Sequence, residues 1–174
     1  MTLALVGLPG SGKSTVGRQL ARRLGLQFSD SDHVIEQRLG CSIRSFFERE
    51  GEAAFRDAEE SVIAELCMQD GVIATGGGAV LRSANRERLR ACGHVVYLYT
   101  RPEDVFRRVK HDKGRPLLQV DDPMTKLREL HAQRDPLYRE VAHLVVETGK
   151  PSVPSLVSTI IAKLGLAGTP PTGA

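Results

Sequence analysis

Short apolar runs alternate with longer amphipathic stretches along this chain, a pattern that predicts a parallel sheet covered by helices. Thr2-Leu3-Ala4-Leu5-Val6 reads as a buried strand, with residues 3–6 as its core. Val16, Leu20, Ala21 and Leu24 then fall on one face of a helix that opens at Lys13. Further strands are expected at 27–29, 72–75, 94–99 and 143–147, and further helices starting near Asp32, near Ser42, after Gly51, and near Ser83, Pro102, Pro123 and Ser155. Pro102 followed by Glu103 and Asp104 suits a first helical turn, and Asp122 before Pro123 reads as an N-cap followed by an N1 proline. Leu156, Ile160 and Leu164 give the last helix a face for the sheet. Between the sixth and seventh helices, residues 111–122 are polar at both ends and contain Gly114 and Pro116, so a long loop is expected there. Residues 167–174 have nothing to bury and read as a disordered tail. Residues 1–166 thus form one expected domain.

Composition narrows the picture without deciding it. The 174 residues suit one domain with a real core, and 41% hydrophobic and 26% charged residues are ordinary for a globular protein. The net charge of +3 and pI near 8.9 come with no long basic run. With five Phe, three Tyr and no Trp, stacking platforms for nucleic acid are poorly supplied, and an arginine surplus suits small anions as well. Cys41, Cys67 and Cys92 are odd in number and far apart, which argues for reduced thiols in a cytoplasmic protein. The apolar start lacks a basic lead and runs into Gly7 and Pro9, unlike a signal peptide, and no stretch reaches membrane-spanning length.

The chemistry begins at residues 7–14, Gly-Leu-Pro-Gly-Ser-Gly-Lys-Ser, a complete phosphate-binding loop between strand and helix. Its glycines let backbone N–H groups converge on phosphate oxygens, Lys13 reaches the outer phosphates, and Ser14 can ligate Mg²⁺. A nucleoside triphosphate is therefore the expected ligand. Asp30 and Asp32 end the second strand, where ligands of a parallel sheet bind. Two apart in an extended segment, they share a face, one suited to a metal's water shell and one to a substrate hydroxyl; the competing reading is that they cap the next helix. Gly76-Gly77-Gly78 follows the third strand and suggests a backbone contact with ligand, against a plain tight turn. Arg56, Arg115 and Arg134 offer forks for a carboxylate or phosphate, although most arginines are solvated surface residues.

Taken in order, these motifs resemble the bacterial shikimate kinases, within the nucleoside-monophosphate-kinase-like group. The resemblance rests on the loop from Gly7 to Thr15, Asp30-Ser31-Asp32, Gly51-Glu52 with Phe55-Arg56 and Glu59, Gly76-Gly77-Gly78, Arg115-Pro116-Leu117-Leu118, and Arg134 with Pro136-Leu137-Tyr138, and it covers residues 3–164. It implies an α/β, three-layer P-loop kinase with a five-stranded parallel sheet in the order 2-3-1-4-5. It also implies a mobile lid at about 111–122 and substrate-binding helices at about 32–60. The implied reaction is ATP-dependent phosphorylation of the 3-hydroxyl of shikimate in aromatic amino acid biosynthesis, with Mg²⁺.

By the same resemblance Asp32 is the candidate base, Lys13 and Arg115 complete the catalytic set, and Gly10, Ser11, Gly12, Lys13, Ser14 and Thr15 hold the nucleotide phosphates. Arg108 is a candidate to stack on the base, with Lys150 near the adenine. Arg56 and Arg134 clamp the carboxylate, Gly76, Gly77 and Gly78 approach the substrate, and Phe47, Phe55 and Glu59 shape its pocket. Ser14 ligates the metal, with Asp30 acting through water. A monomer with no nucleic-acid or membrane partner is expected. Two other readings compete: a gluconate or nucleotide kinase on the same architecture, and a nucleotide switch or RNA-binding module. The Asn-Lys-x-Asp guanine signature is absent from the chain.

Overall fold

The computed structural model describes residues 1–110, 120–149 and 151–167. Its centre is a five-stranded, wholly parallel sheet of β1 (Thr2–Val6), β2 (Phe28–Asp30), β3 (Gly71–Ala74), β4 (His94–Tyr99) and β5 (Leu144–Glu147), in the order β2-β3-β1-β4-β5. Every residue of β1 and β3 is buried, because helices cover both faces of a parallel sheet; this is why the strands read as unbroken apolar runs.

The pleat divides the core in two. Ala4, Val6, Ile73, Val95 and Tyr97 face one layer, built by α2 (Ser31–Leu39), α3 (Ile43–Glu50), α4 (Glu52–Leu66), α5 (Ser83–Cys92), α6 (Pro102–Val109) and α7 (Pro123–Val141). Leu3, Leu5, Val72, Val96 and Leu98 face the other, built by α1 (Lys13–Leu24) and α8 (Val153–Leu164). Leu156 and Ile160 of α8 are buried there, as the periodicity predicts, and Val157 and Ile161 widen the same face. Each fully buried Leu or Ile contributes about 1.5–3 kcal/mol.

Three local features add to or alter the sequence expectation. The second helix starts at Ser31, so Asp32 lies in a first helical turn rather than in extended chain. A short 3₁₀ turn, Ala79–Leu81, follows the glycine triplet. The seventh helix passes through Pro136, whose missing N–H on propensity alone stops a helix. Burial of Leu127, Tyr138 and Val141 against the core carries it through. The Asp122 cap is as expected, with its carboxylate accepting from the Thr125 N–H at 3.2 Å. Most of the expected lid and most of the tail lie outside the described residues.

Candidate active site

From β1 the chain runs through α1 to β2 on one side, whereas from β3 it crosses to β4 on the other, and α1 and α5 lie in opposite layers. A crevice therefore opens at the carboxyl ends of β1 and β3. The phosphate loop follows β1, the glycine triplet follows β3, and Asp30 ends β2 beside them.

In the loop, Gly10 and Gly12 adopt φ of 82° and 93°, the left-handed region that glycine reaches without strain. Gly12 is also the N-cap of α1 and has no side chain to occupy the helix's first N–H groups, which leaves them for an anion. The Lys13 Nζ donates to the carbonyls of Gly7 and Leu8, each at 2.8 Å, so its charge is held over the loop. Gly10, Gly12, Lys13, Ser14 and Thr15 line a cavity of about 440 Å³, with Asp30, Asp32 and Arg108 on its other walls. Ser11 is buried, and its Oγ has no hydrogen-bond partner among the described residues.

Asp30 unites the two readings of the acidic pair. Its Oδ1 caps α2 by accepting from the N–H groups of Asp32 (3.0 Å) and His33 (3.2 Å), while its Oδ2 accepts from the Ser14 hydroxyl at 2.7 Å. Asp32 faces the crevice from the first turn of α2. Burial, reinforced by the charges of Glu59 and Asp30, raises its pKa to about 6. Among the described residues no cluster of three or more His, Cys, Asp or Glu side chains is placed to hold a metal. The Ser14–Asp30 pair beside the loop fits a Mg²⁺ that takes most of its oxygens from phosphates and water, and the open N–H groups of the loop fit a triphosphate.

A second cavity, about 330 Å³, adjoins the first. Phe47, Phe55, Arg56, Glu59 and Arg134 line it, together with Asp32 and all three glycines of 76–78. Arg56 Nη1 donates to Glu59 Oε1 at 2.8 Å, and Glu59 is 1% exposed. Burial raises the Glu59 pKa, opposed chiefly by Arg56. Arg56 also pairs with Glu52 at 3.5 Å, and two guanidinium groups, Arg56 and Arg134, face the cavity with the carboxylates of Glu59 and Asp32. The Phe47 and Phe55 rings, 5.0 Å apart, form the apolar side.

The glycine triplet turns out to serve side chains as well as backbone. A Cβ on Gly76 would lie 2.5 Å from Asp32 Oδ1; on Gly77, 2.7 Å from Pro9 Cδ and 3.2 Å from Arg134 Nη1; on Gly78, 2.4 Å from Arg56 Nη2. Each glycine thus admits one functional side chain. Ser31, absent from the expected set, fixes the start of the triplet by accepting from the Gly76 N–H at 3.1 Å.

Of the expected residues, Arg115 and Lys150 lie outside the described residues. Arg108 lines the phosphate cavity, where its guanidinium donates to the carbonyls of Ser11 (3.2 Å) and Thr148 (3.3 Å), tying the phosphate loop to the end of β5. Sequence reading missed Ile43, Val109 and Leu130, which also line the second cavity. As ordinary apolar residues they carry no chemical signal, although Leu130 precedes Arg134 by one helical turn.

The parallel sheet, its strand order and the glycine cradle at the end of β1 define a P-loop kinase. The chain matches the shikimate kinase family model over residues 9–165. It belongs to that family. It is 61% identical to a shikimate kinase of Paracidovorax citrulli over 98% of this chain and 96% of that one. Identity to the shikimate kinase of Ralstonia nicotianae is 57%, covering 94% and 86% of the two chains. Among solved structures, the shikimate kinase from Acinetobacter baumannii in complex with shikimate aligns with a TM-score of 0.90 at 49% identity, covering 94% of this chain and 92% of that one.

Proposed function

We propose that this chain transfers the γ-phosphoryl group of ATP to the 3-hydroxyl of shikimate, giving shikimate 3-phosphate and ADP, in the synthesis of chorismate and the aromatic amino acids. The observation that carries this reading is the shared wall. Pro9, Asp32, Gly76, Gly77 and Val109 line both the phosphate cavity and the arginine-walled pocket, so a phosphoryl donor and a small acceptor meet across Asp32.

Arg56 and Arg134 take the shikimate carboxylate through paired N–H bonds from their planar forks. Asp32 faces the hydroxyl to be phosphorylated and accepts its proton as the bond to phosphorus forms. A pKa near 6 leaves Asp32 ionised at neutral pH yet basic enough for this task. The phosphoryl-transfer transition state is loose and asks mainly for positioning and neutralised charge. Lys13 and the N–H groups at the start of α1 provide this, with Arg115 as the lid's contribution. Ser14 and Asp30 would hold Mg²⁺, which neutralises phosphate charge when bound. We infer a cytoplasmic monomer without nucleic-acid or membrane partners. Among the described residues no helix is long and apolar enough to cross a membrane.

The test is an acceptor screen with ATP and Mg²⁺, following ADP release with shikimate, gluconate and nucleoside monophosphates. Turnover is expected with shikimate alone. Turnover with gluconate or a nucleotide, and none with shikimate, overturns the reading.

A further inference from the structure

Tyr138 takes no part in the chemistry described above, yet its hydroxyl bonds one group of the acceptor pocket and lies in the field of another. The residue is 0% exposed. Its Oη donates to the Gly77 carbonyl at 2.6 Å, and the positive charge of the Arg134 guanidinium, one turn earlier on α7, acts on the same phenol. The Gly77 carbonyl belongs to the planar peptide that carries the Gly78 N–H, so holding one holds the other. Between glycines that plane has little of its own to stop it turning. The ring is fixed in its turn: it packs on Tyr97 with centroids 4.9 Å apart, and Tyr97 donates to Asp135 Oδ1 at 2.7 Å. Asp135 is also braced by Arg139 at 3.0 Å.

We propose that the Tyr138 hydroxyl is a positioning group for the acceptor, holding the peptide between Gly77 and Gly78 and the Arg134 fork in one arrangement, so that the carboxylate meets a preset site. This rests on the reading of the pocket as the shikimate site. The phenol faces Gly77 and Arg134 rather than a position where phosphoryl transfer occurs, so its effect falls on acceptor binding.

Tyr138→Phe removes the hydroxyl and keeps the ring. The expected result is a shikimate KM raised roughly three- to tenfold, as for loss of a buried hydrogen bond, with the ATP KM within about twofold of wild type. Tyr97→Phe is the structural control: it keeps the ring that packs on Tyr138 and removes only the hydroxyl bond to Asp135, so it should lower Tm while leaving both KM values unchanged. Equal changes in both KM values for Tyr138→Phe, or a shikimate KM unchanged from wild type, overturn the proposal. Wild-type turnover of shikimate is measured first: its absence sinks the pocket reading and the proposal with it, whereas normal turnover with an unaffected Tyr138→Phe sinks the positioning role alone. Should Tyr138→Phe fail to fold, ¹⁹F NMR of fluorotyrosine-labelled wild type decides, since the chain has three tyrosines. The Tyr138 resonance is expected to move with shikimate and not with a non-hydrolysable ATP analogue; the reverse pattern also overturns the proposal.

Discussion

Asp32 is a carboxylate placed where a carboxylate is unwelcome. Burial and the neighbouring charges of Glu59 and Asp30 raise its pKa from 3.8 to about 6. A raised pKa means that its favourable contribution is complete below about pH 4 and is lost as pH rises through about 6. At neutral pH the ionised group therefore destabilises the fold, by at most roughly 3 kcal/mol. Asp32→Asn should remove that burden and the reaction together. We expect kcat to fall by roughly 10²–10⁴-fold with ATP binding nearly intact. The mutant's stability advantage in urea should be absent near pH 4 and largest above pH 7. An unchanged kcat removes Asp32 as the base, and a pH-independent stability difference removes the burial argument. Lys13 poses the complementary case, a cation already positioned by two carbonyls. Lys13→Ala should lower turnover by at least roughly 10²-fold, as for loss of a preorganised charge; near-normal rates in the ADP-release assay reject its phosphate role.

At the scale of elements, the turn after β3 does the most to organise the acceptor pocket. In Gly78→Ala the new Cβ would meet Arg56 Nη2 at 2.4 Å. Because that atom ends a flexible chain, the protein should still fold while Arg56 leaves its 2.8 Å pairing with Glu59. The expected outcome is a shikimate KM raised roughly 10- to 100-fold with the ATP KM little changed; comparable effects on both would mean that the turn itself had collapsed. The glycines were visible in the sequence as a site because they follow a strand. Their reason was not, since the approach of Asp32, Arg134 and Arg56 to one turn brings together residues far apart in the chain. Strands β1 and β3 were legible because burial on both faces demands continuous apolar runs. The course of α7 through Pro136 was not, because tertiary packing overrode propensity there. Leu130, Arg134 and Tyr138 recur every four residues, so α7 sets an arginine on an otherwise apolar stripe. That is the one periodic signal that could have tied Tyr138 to the pocket beforehand.

For the whole molecule, the site depends on elements that meet only in the folded state. Arg56 comes from α4, Arg134 from α7, Asp32 from α2 and Gly77 from the turn after β3. An acceptor bound among them links four elements of one layer and has no equivalent partner in the unfolded chain, so it must stabilise the native state by mass action. At a hundred times its dissociation constant the gain is about 2.7 kcal/mol. For a chain of this size that corresponds to a rise in Tm of roughly 5–10 °C. On the proposed reading nucleotide engages a different set, the loop after β1 and the start of α1, so its stabilisation should be separable. On the same reading, Arg134→Ala removes one of the two forks proposed for the carboxylate. At the same shikimate concentration a hundredfold weaker affinity should shrink the shift to roughly 1–2 °C. The shift produced by ATP and Mg²⁺ should persist. Thermal melts of both proteins with each ligand check this: loss of both shifts together would make Arg134 a residue of the fold, and retention of both would leave the carboxylate to Arg56 alone.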